Sequence, residues 1–142
     1  MRNIQKIALL HSVHTIAIAG SRSLTNCPTL LERLEQLWAA RMLGQVVSGG
    51  ATGIDTLAAN WCRAHDVPLV ELRPDYRRHG AAAPHVRNAE IVQRAGLVLL
   101  CWDGQSAGTL STWRAAQRLG RRCEWLAAPP PDGGCTGTGW LL

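Results

Sequence analysis

Ser48-Gly49-Gly50-Ala51-Thr52-Gly53-Ile54-Asp55 follows the short apolar run Gln45-Val46-Val47. It opens onto Ile54, Leu57, Ala58, Trp61 and Cys62, which recur at the spacing of one helix face. A strand, a glycine-rich turn and a helix in that order direct unpaired backbone N–H groups and a positive helix end towards an anion. Gly49, Gly50 and Gly53 lack Cβ, so the backbone can take positive φ and a phosphate can come close. The same glycines would also serve a tight strand-to-helix turn that binds nothing.

Working outward, the other strands carry similar company. Val13 to Ala19 is a β-branched, apolar run that ends at Gly20-Ser21-Arg22. A helix follows, with Thr25 or Asn26 as its cap and Pro28 in its first turn. Leu30, Leu31, Leu34, Leu37, Trp38 and Met42 lie on one face of it, and Gly44 closes it. The helix after the opening stretch runs to about His65. Pro68 to Leu72 is a third strand, followed by Arg73-Pro74-Asp75-Tyr76 and a loop of Arg, Gly and Ala. A helix from about Pro84 to Ala95 carries Arg87, Asn88 and Glu90. Gly96 to Trp102 is a fourth strand, ending at Asp103-Gly104-Gln105-Ser106-Ala107-Gly108-Thr109. A helix bearing Leu110, Trp113, Ala116 and Gln117 closes at Gly120, and Arg122 to Leu126 is a fifth strand.

Alternating strands and helices predict an α/β, Rossmann-like domain, a single parallel sheet of about five strands with helices on both faces. Residues 1–126 form this domain, and residues 127–142, rich in Pro and Gly, form a tail. Parallel strands put the clusters at 20–22, 48–55, 73–76 and 103–109 on one edge, where open α/β sheets bind ligands. A convergence of Ser21, Arg22, Asp55, Asp103 and Thr109 there favours a phosphate-bearing ligand over purely structural turns.

Composition narrows the class. The chain has 142 residues, 46% of them hydrophobic, so a folded core is expected. No apolar run approaches the roughly 20 residues that span a bilayer, and Ile7 to Leu10 is too short for a secretory segment. A cytoplasmic protein without a membrane partner is therefore expected. The five cysteines show no C-x-x-C spacing and the histidines no paired spacing, which predicts no metal site. Net charge is +5, and of the fifteen basic residues all but Lys6 are arginine. They are dispersed, and aromatics are not interleaved with them, which argues against a nucleic-acid groove.

Gly20-Ser21-Arg22, Ser48-Gly49-Gly50-Ala51 with Gly53 and Asp55, Arg87-Asn88, and Trp102-Asp103-Gly104-x-Ser106-x-Gly108-Thr109 together resemble the SLOG superfamily, most closely its YspA-like branch. Lonely Guy phosphoribohydrolases and Smf/DprA proteins are more distant relatives. The resemblance runs from about residue 14 to 125. It implies a nucleotide-like ligand over the glycine-rich loops and often a homodimer, for which Trp38, Trp61, Trp113 and Trp125 would supply interface aromatics.

The chain departs from the Lonely Guy pattern. Thr112 stands where those enzymes place a glutamate, and it cannot act as a carboxylate base. Asp103-Gly104 replaces the first glycine pair of their loop. Asp103 would cap the turn, supply a carboxylate or bind a ribose hydroxyl. Arg22 and Arg87 would clamp a phosphate, or would pair with Asp55, Glu90 or Asp75. Asn88 would contact a ribose or base, or tie down the 73–83 loop. Asp55 would favour the helix dipole and face a hydroxyl or an arginine. The leading expectation is a sensor or binding domain for a nucleotide or ADP-ribose-like ligand that requires no cofactor. The alternative is a hydrolase of an N-glycosidic or phosphoribosyl bond using Asp103 or Glu90. A DprA-like DNA-binding role comes third.

Overall fold

The computed structural model describes residues 14–127. Five strands, β1 (Thr15–Gly20), β2 (Gln45–Ser48), β3 (Leu69–Glu71), β4 (Leu97–Cys101) and β5 (Arg122–Trp125), form one sheet in the order β3-β2-β1-β4-β5. Every pairing is parallel, with Ala17 beside Val47 on one side of β1 and beside Val98 on the other. The expected α/β, Rossmann-like architecture with a five-stranded parallel sheet is present.

Helices α1 (Pro28–Ala39) and α2 (Ile54–Ala64) cover one face. The other face carries α4 (Ala83–Gln93) and α5 (Ala107–Arg118). Alternate residues of each central strand serve the two layers. Ile16, Ile18, Leu97, Leu99 and Cys101 pack with α1 and α2, whereas Ala17, Val98 and Leu100 pack with α4 and α5. A strand buried on both sides needs apolar residues at every position, which is why β4 reads LVLLC.

Several local expectations are corrected. The N-cap of α1 is Cys27, without a side-chain cap bond, rather than Thr25 or Asn26. Pro28 sets the first turn from inside the helix. The helix closes at Arg41, which takes positive φ, and Met42 N–H bonds back to the Leu37 carbonyl at 2.8 Å. Gly44 instead passes close to His14, whose carbonyl accepts its N–H. On the expected apolar face of α1, Leu30, Leu34 and Leu37 are buried, but Trp38 and Met42 are 45% and 50% exposed. Residues 73–83 are not a plain loop. Asp75 caps the short helix α3 (Tyr76–His79), and a 3-10 turn over Gly80–Ala82 leads into α4. Trp61, Trp113 and Trp125 are buried within the one chain, so of the four interface candidates only Trp38 is exposed. The tail beyond Ala127 lies outside the described residues.

Two contacts fix how the layers meet. Arg33 of α1 forks onto Glu124 of β5, Nε to Oε1 at 2.7 Å and Nη2 to Oε2 at 2.8 Å, and Glu124 is fully buried. At the sheet edge, a Cβ on Gly20 would overlap the Ile54 side chain, and one on Gly53 would collide with the Ser21 and Arg22 carbonyls. The turns after β1 and β2 therefore touch backbone to backbone. Gly53 has φ of 75° and ψ of −122°, a conformation that an L side chain rarely adopts.

Gly53→Ala is expected to cost about 2–4 kcal/mol, from backbone strain and overpacking together. Gly120 has φ of 67° but open space around it, so Gly120→Ala should cost only about 1 kcal/mol. Urea unfolding of the two variants measures the difference. Equal losses would mean that the contact between the turns is slack.

Candidate functional site

A cavity of ≈ 400 Å³ opens at the C-terminal edge of the sheet, beside the ends of β1 and β4. These two central strands send their connections to opposite faces, α1 to one and α5 to the other. Such a divergence leaves a crevice between the first turns of the two helices. Arg22 and Ser23 enter its wall from the turn after β1, and Gly49, Ala51 and Asp55 from the turn after β2. Arg87 and Asn88 reach it from α4, and Ser106, Gly108 and Thr109 from the start of α5.

The turn after β4 is built around Asp103. Its Oδ1 accepts from Gln105 and Ser106 N–H, each at 2.8 Å, and its Oδ2 accepts from Ser23 Oγ at 2.6 Å. The Ser23 hydroxyl, then those two N–H groups, hold the Asp103 carboxyl well below the usual carboxylate range. Ser21 Oγ accepts from the Asp103 N–H at 2.9 Å, which joins the β1 and β4 turns a second time. Ser106 then caps α5 by accepting from Thr109 N–H. Asp103 lies on the cavity wall, but each of its oxygens already has a protein donor.

The turn after β2 is organised differently from the expected cradle. Ser48 Oγ accepts from Gly50 N–H at 3.3 Å, and Asp55 Oδ2 accepts from Ala51 N–H at 3.0 Å. These two backbone donors are thus turned to the protein's own oxygens. Arg87 ties the turn down from above. Its Nη1 donates to the Gly49 and Leu72 carbonyls, and its Nε donates to Asn88 Oδ1 at 2.8 Å. Asn88 passes the chain of bonds on, from Nδ2 to Ser111 Oγ. Burial, with the Glu71 charge, pushes the Asp55 carboxyl above its usual range, against the pull of Ala51 N–H, the Arg87 charge and Gly49 N–H.

Of the residues singled out in the sequence, Gly20, Arg22, Gly49, Ala51, Asp55, Arg87, Asn88, Asp103, Ser106, Gly108 and Thr109 line the cavity. Ser21, Ser48, Gly50, Gly53 and Gly104 do not line it, and Gly104 is exposed. Gly50 faces Glu71, Gly53 faces the β1 turn, and Ser21 and Ser48 hold neighbouring amides. Glu90 lies elsewhere, exposed and paired with Arg94 along α4 at 2.9 Å. Ser23, Ala107 and Thr112 also line the cavity. Ser23 belongs to the cluster after β1, and Thr112 follows Thr109 by three positions on one helix face, so spacing could have found both. The Thr112 hydroxyl donates to the Gly108 carbonyl at 3.2 Å.

Among the described residues no group of three or more His, Cys, Asp or Glu is placed to hold a metal, and no helix is long and apolar enough to cross a membrane.

Fold and site together define a Rossmann-like protein with a polar crevice at the point where the chain reverses across its sheet. Residues 14–79, from β1 through α3, match the model of the YspA, cpYpsA-related SLOG family. Among curated proteins, none matches the chain in sequence. Among solved structures, the chain is similar to DNA processing protein A (DprA) from Streptococcus pneumoniae, with a TM-score of 0.66 and 19% identity over 87% of this chain and 54% of that one. It is also similar to DNA processing protein A from Helicobacter pylori, with a TM-score of 0.60 and 20% identity over 82% of this chain and 66% of that one. At these identities the likeness establishes the shared fold. The chain spans between about half and two thirds of those proteins' length.

Arg87→Ala would leave two carbonyls and an amide oxygen without their donor, at a cost of about 1–3 kcal/mol. Glu90→Gln, which breaks only an exposed helix pair, should stay within about 0.5 kcal/mol of wild type. Chemical unfolding of both variants checks the contrast.

Proposed function

We propose that the crevice binds an anionic, nucleotide-type small molecule, a nucleotide or an ADP-ribose-like compound, and that the domain acts as its sensor or carrier. The observation that carries this reading is Arg22. Its guanidinium is exposed on the cavity wall and has no hydrogen bond or ion pair among the described residues, while the first turn of α5 shares that wall. A planar cation and a helix N-terminus are each suited to phosphate. The cavity volume lies within the range of small-molecule sites.

Binding is favoured over bond cleavage because the two carboxylates expected to do that chemistry, Asp103 and Glu90, are committed elsewhere. Asp103 caps its turn and is held ionised, so it is a poor proton donor near neutral pH. Glu90 is not on the wall, and Thr112 supplies no carboxylate.

A thermal-shift series over nucleoside monophosphates, NAD and ADP-ribose tests the proposal. A ligand at 100 times its Kd should add about 2.7 kcal/mol of stability. Arg22→Ala should weaken that ligand by about 1.5–3 kcal/mol, the range for a hydrogen bond to a charged group. No shift with any member would overturn the reading. A salt-sensitive gel shift of a single-stranded oligonucleotide, without mononucleotide binding, would move it to nucleic acid, in line with the single-stranded DNA binding described for the Helicobacter pylori protein.

A further inference from the structure

We infer that Asp55 selects ligands carrying sugar hydroxyls, so that a ribose is accepted and its deoxygenated form is taken much more weakly. This rests on the nucleotide reading above and names the part of the ligand that the deep wall recognises.

The inference comes from accounting for polar groups. The cavity oxygens of Asp103, Ser106 and Thr112, and Asn88 with them, are paired within the protein. Asp55 is not fully paired. It is 6% exposed, its Oδ2 accepts from Ala51 N–H, and its Oδ1 is the one buried side-chain polar atom without a partner among the described residues. A buried carboxylate oxygen left without a donor is costly, and folded proteins leave few of them. The Arg87 Nη1 is held by the Gly49 and Leu72 carbonyls and its Nε by Asn88, and Asp55 Oδ1 receives no hydrogen bond from Arg87.

The missing partner must donate a hydrogen bond. A phosphate oxygen would be repelled, and a carbonyl has no proton to give. Within a nucleotide, the remaining donors are the sugar hydroxyls and the amino and ring N–H groups of some bases. The surroundings favour the sugar. Ala19, Gly20, Gly49 and Ala51 make this part of the wall small, and no aromatic ring lines the cavity to stack a base. Oδ1 is itself covered, so the contact forms with a small rotation of the carboxylate or a shift of the Gly49–Ala51 turn.

Calorimetric titration of the full chain with AMP, GMP, CMP and UMP, each against its 2′,3′-dideoxy counterpart, tests this in wild type and in Asp55→Asn. In wild type, whichever ribonucleotide binds should do so at least about tenfold more tightly than its dideoxy form, the effect of one hydrogen bond to a charged group. In Asp55→Asn that ratio should fall to within about threefold. The variant should melt no lower than wild type, because it relieves a buried charge and keeps an acceptor for Ala51 N–H. Equal binding of ribo and dideoxy forms by wild type would overturn the inference while leaving the nucleotide reading intact. A ratio unchanged in Asp55→Asn would do the same. A loss that follows the base amino group instead, AMP against IMP, would also overturn it. Binding of none of these compounds would remove the nucleotide reading and this inference with it.

Discussion

The contact between Gly53 and the carbonyls of Ser21 and Arg22 is the constraint on which the site depends. It brings the turn after β2 against the turn after β1 with no side chain between them. The Ile54 N–H points at the Ser21 carbonyl, and Ile54 fills the space that a Cβ on Gly20 would need. Because α2 begins at Ile54, this packing also sets where Asp55 stands, one residue into the helix. The Ser21 hydroxyl and Ser23 then bind the Asp103 turn on the other side. The connections after β1, β2 and β4 are thereby locked around one crevice.

The electrostatics of that crevice follow from which charges the fold has already used. Asp103 is committed to its turn, and the Arg87 Nε and Nη1 to the β2 turn. Among the described residues Arg22 is left exposed without a hydrogen-bond or ion-pair partner, and Asp55 Oδ1 is left buried without a donor. One cation and one acceptor would suit the proposed ligand, anionic at one end and hydroxylated elsewhere. Burial raises the pKa of the Asp55 carboxyl, so its charged form costs the fold free energy near neutral pH.

The sheet was legible because β4 is apolar at every position and β1 nearly so, and because the strands end in glycine or polar clusters. The family resemblance came from the same clusters, and over residues 14–79 it holds. Less legible was what each glycine does. Positive φ at Gly50 and Gly53 was foreseeable, but the sequence does not say that one faces Glu71 and the other the β1 turn. The amides expected to cradle a phosphate are partly taken by Ser48 and Asp55, since a hydroxyl or carboxylate a few residues away competes for the same N–H. The C-terminal end of α1 was misplaced because Arg41 accepts a left-handed conformation that glycine more often takes. Glu90 entered as a candidate because the helix was identified without its rotation about the sheet, and that rotation depends on packing.

The most direct measurement is an amide-resolved magnetic resonance titration of the labelled protein with the ribonucleotide that binds best. The account places the perturbed amides at Arg22 and Ser23, at Gly49 and Asp55, and at Ala107 to Thr109, with the α1 face around Trp38 and Met42 unchanged. Perturbations confined to that α1 face, or to the exposed Glu90–Arg94 pair at the far end of α4, would contradict it.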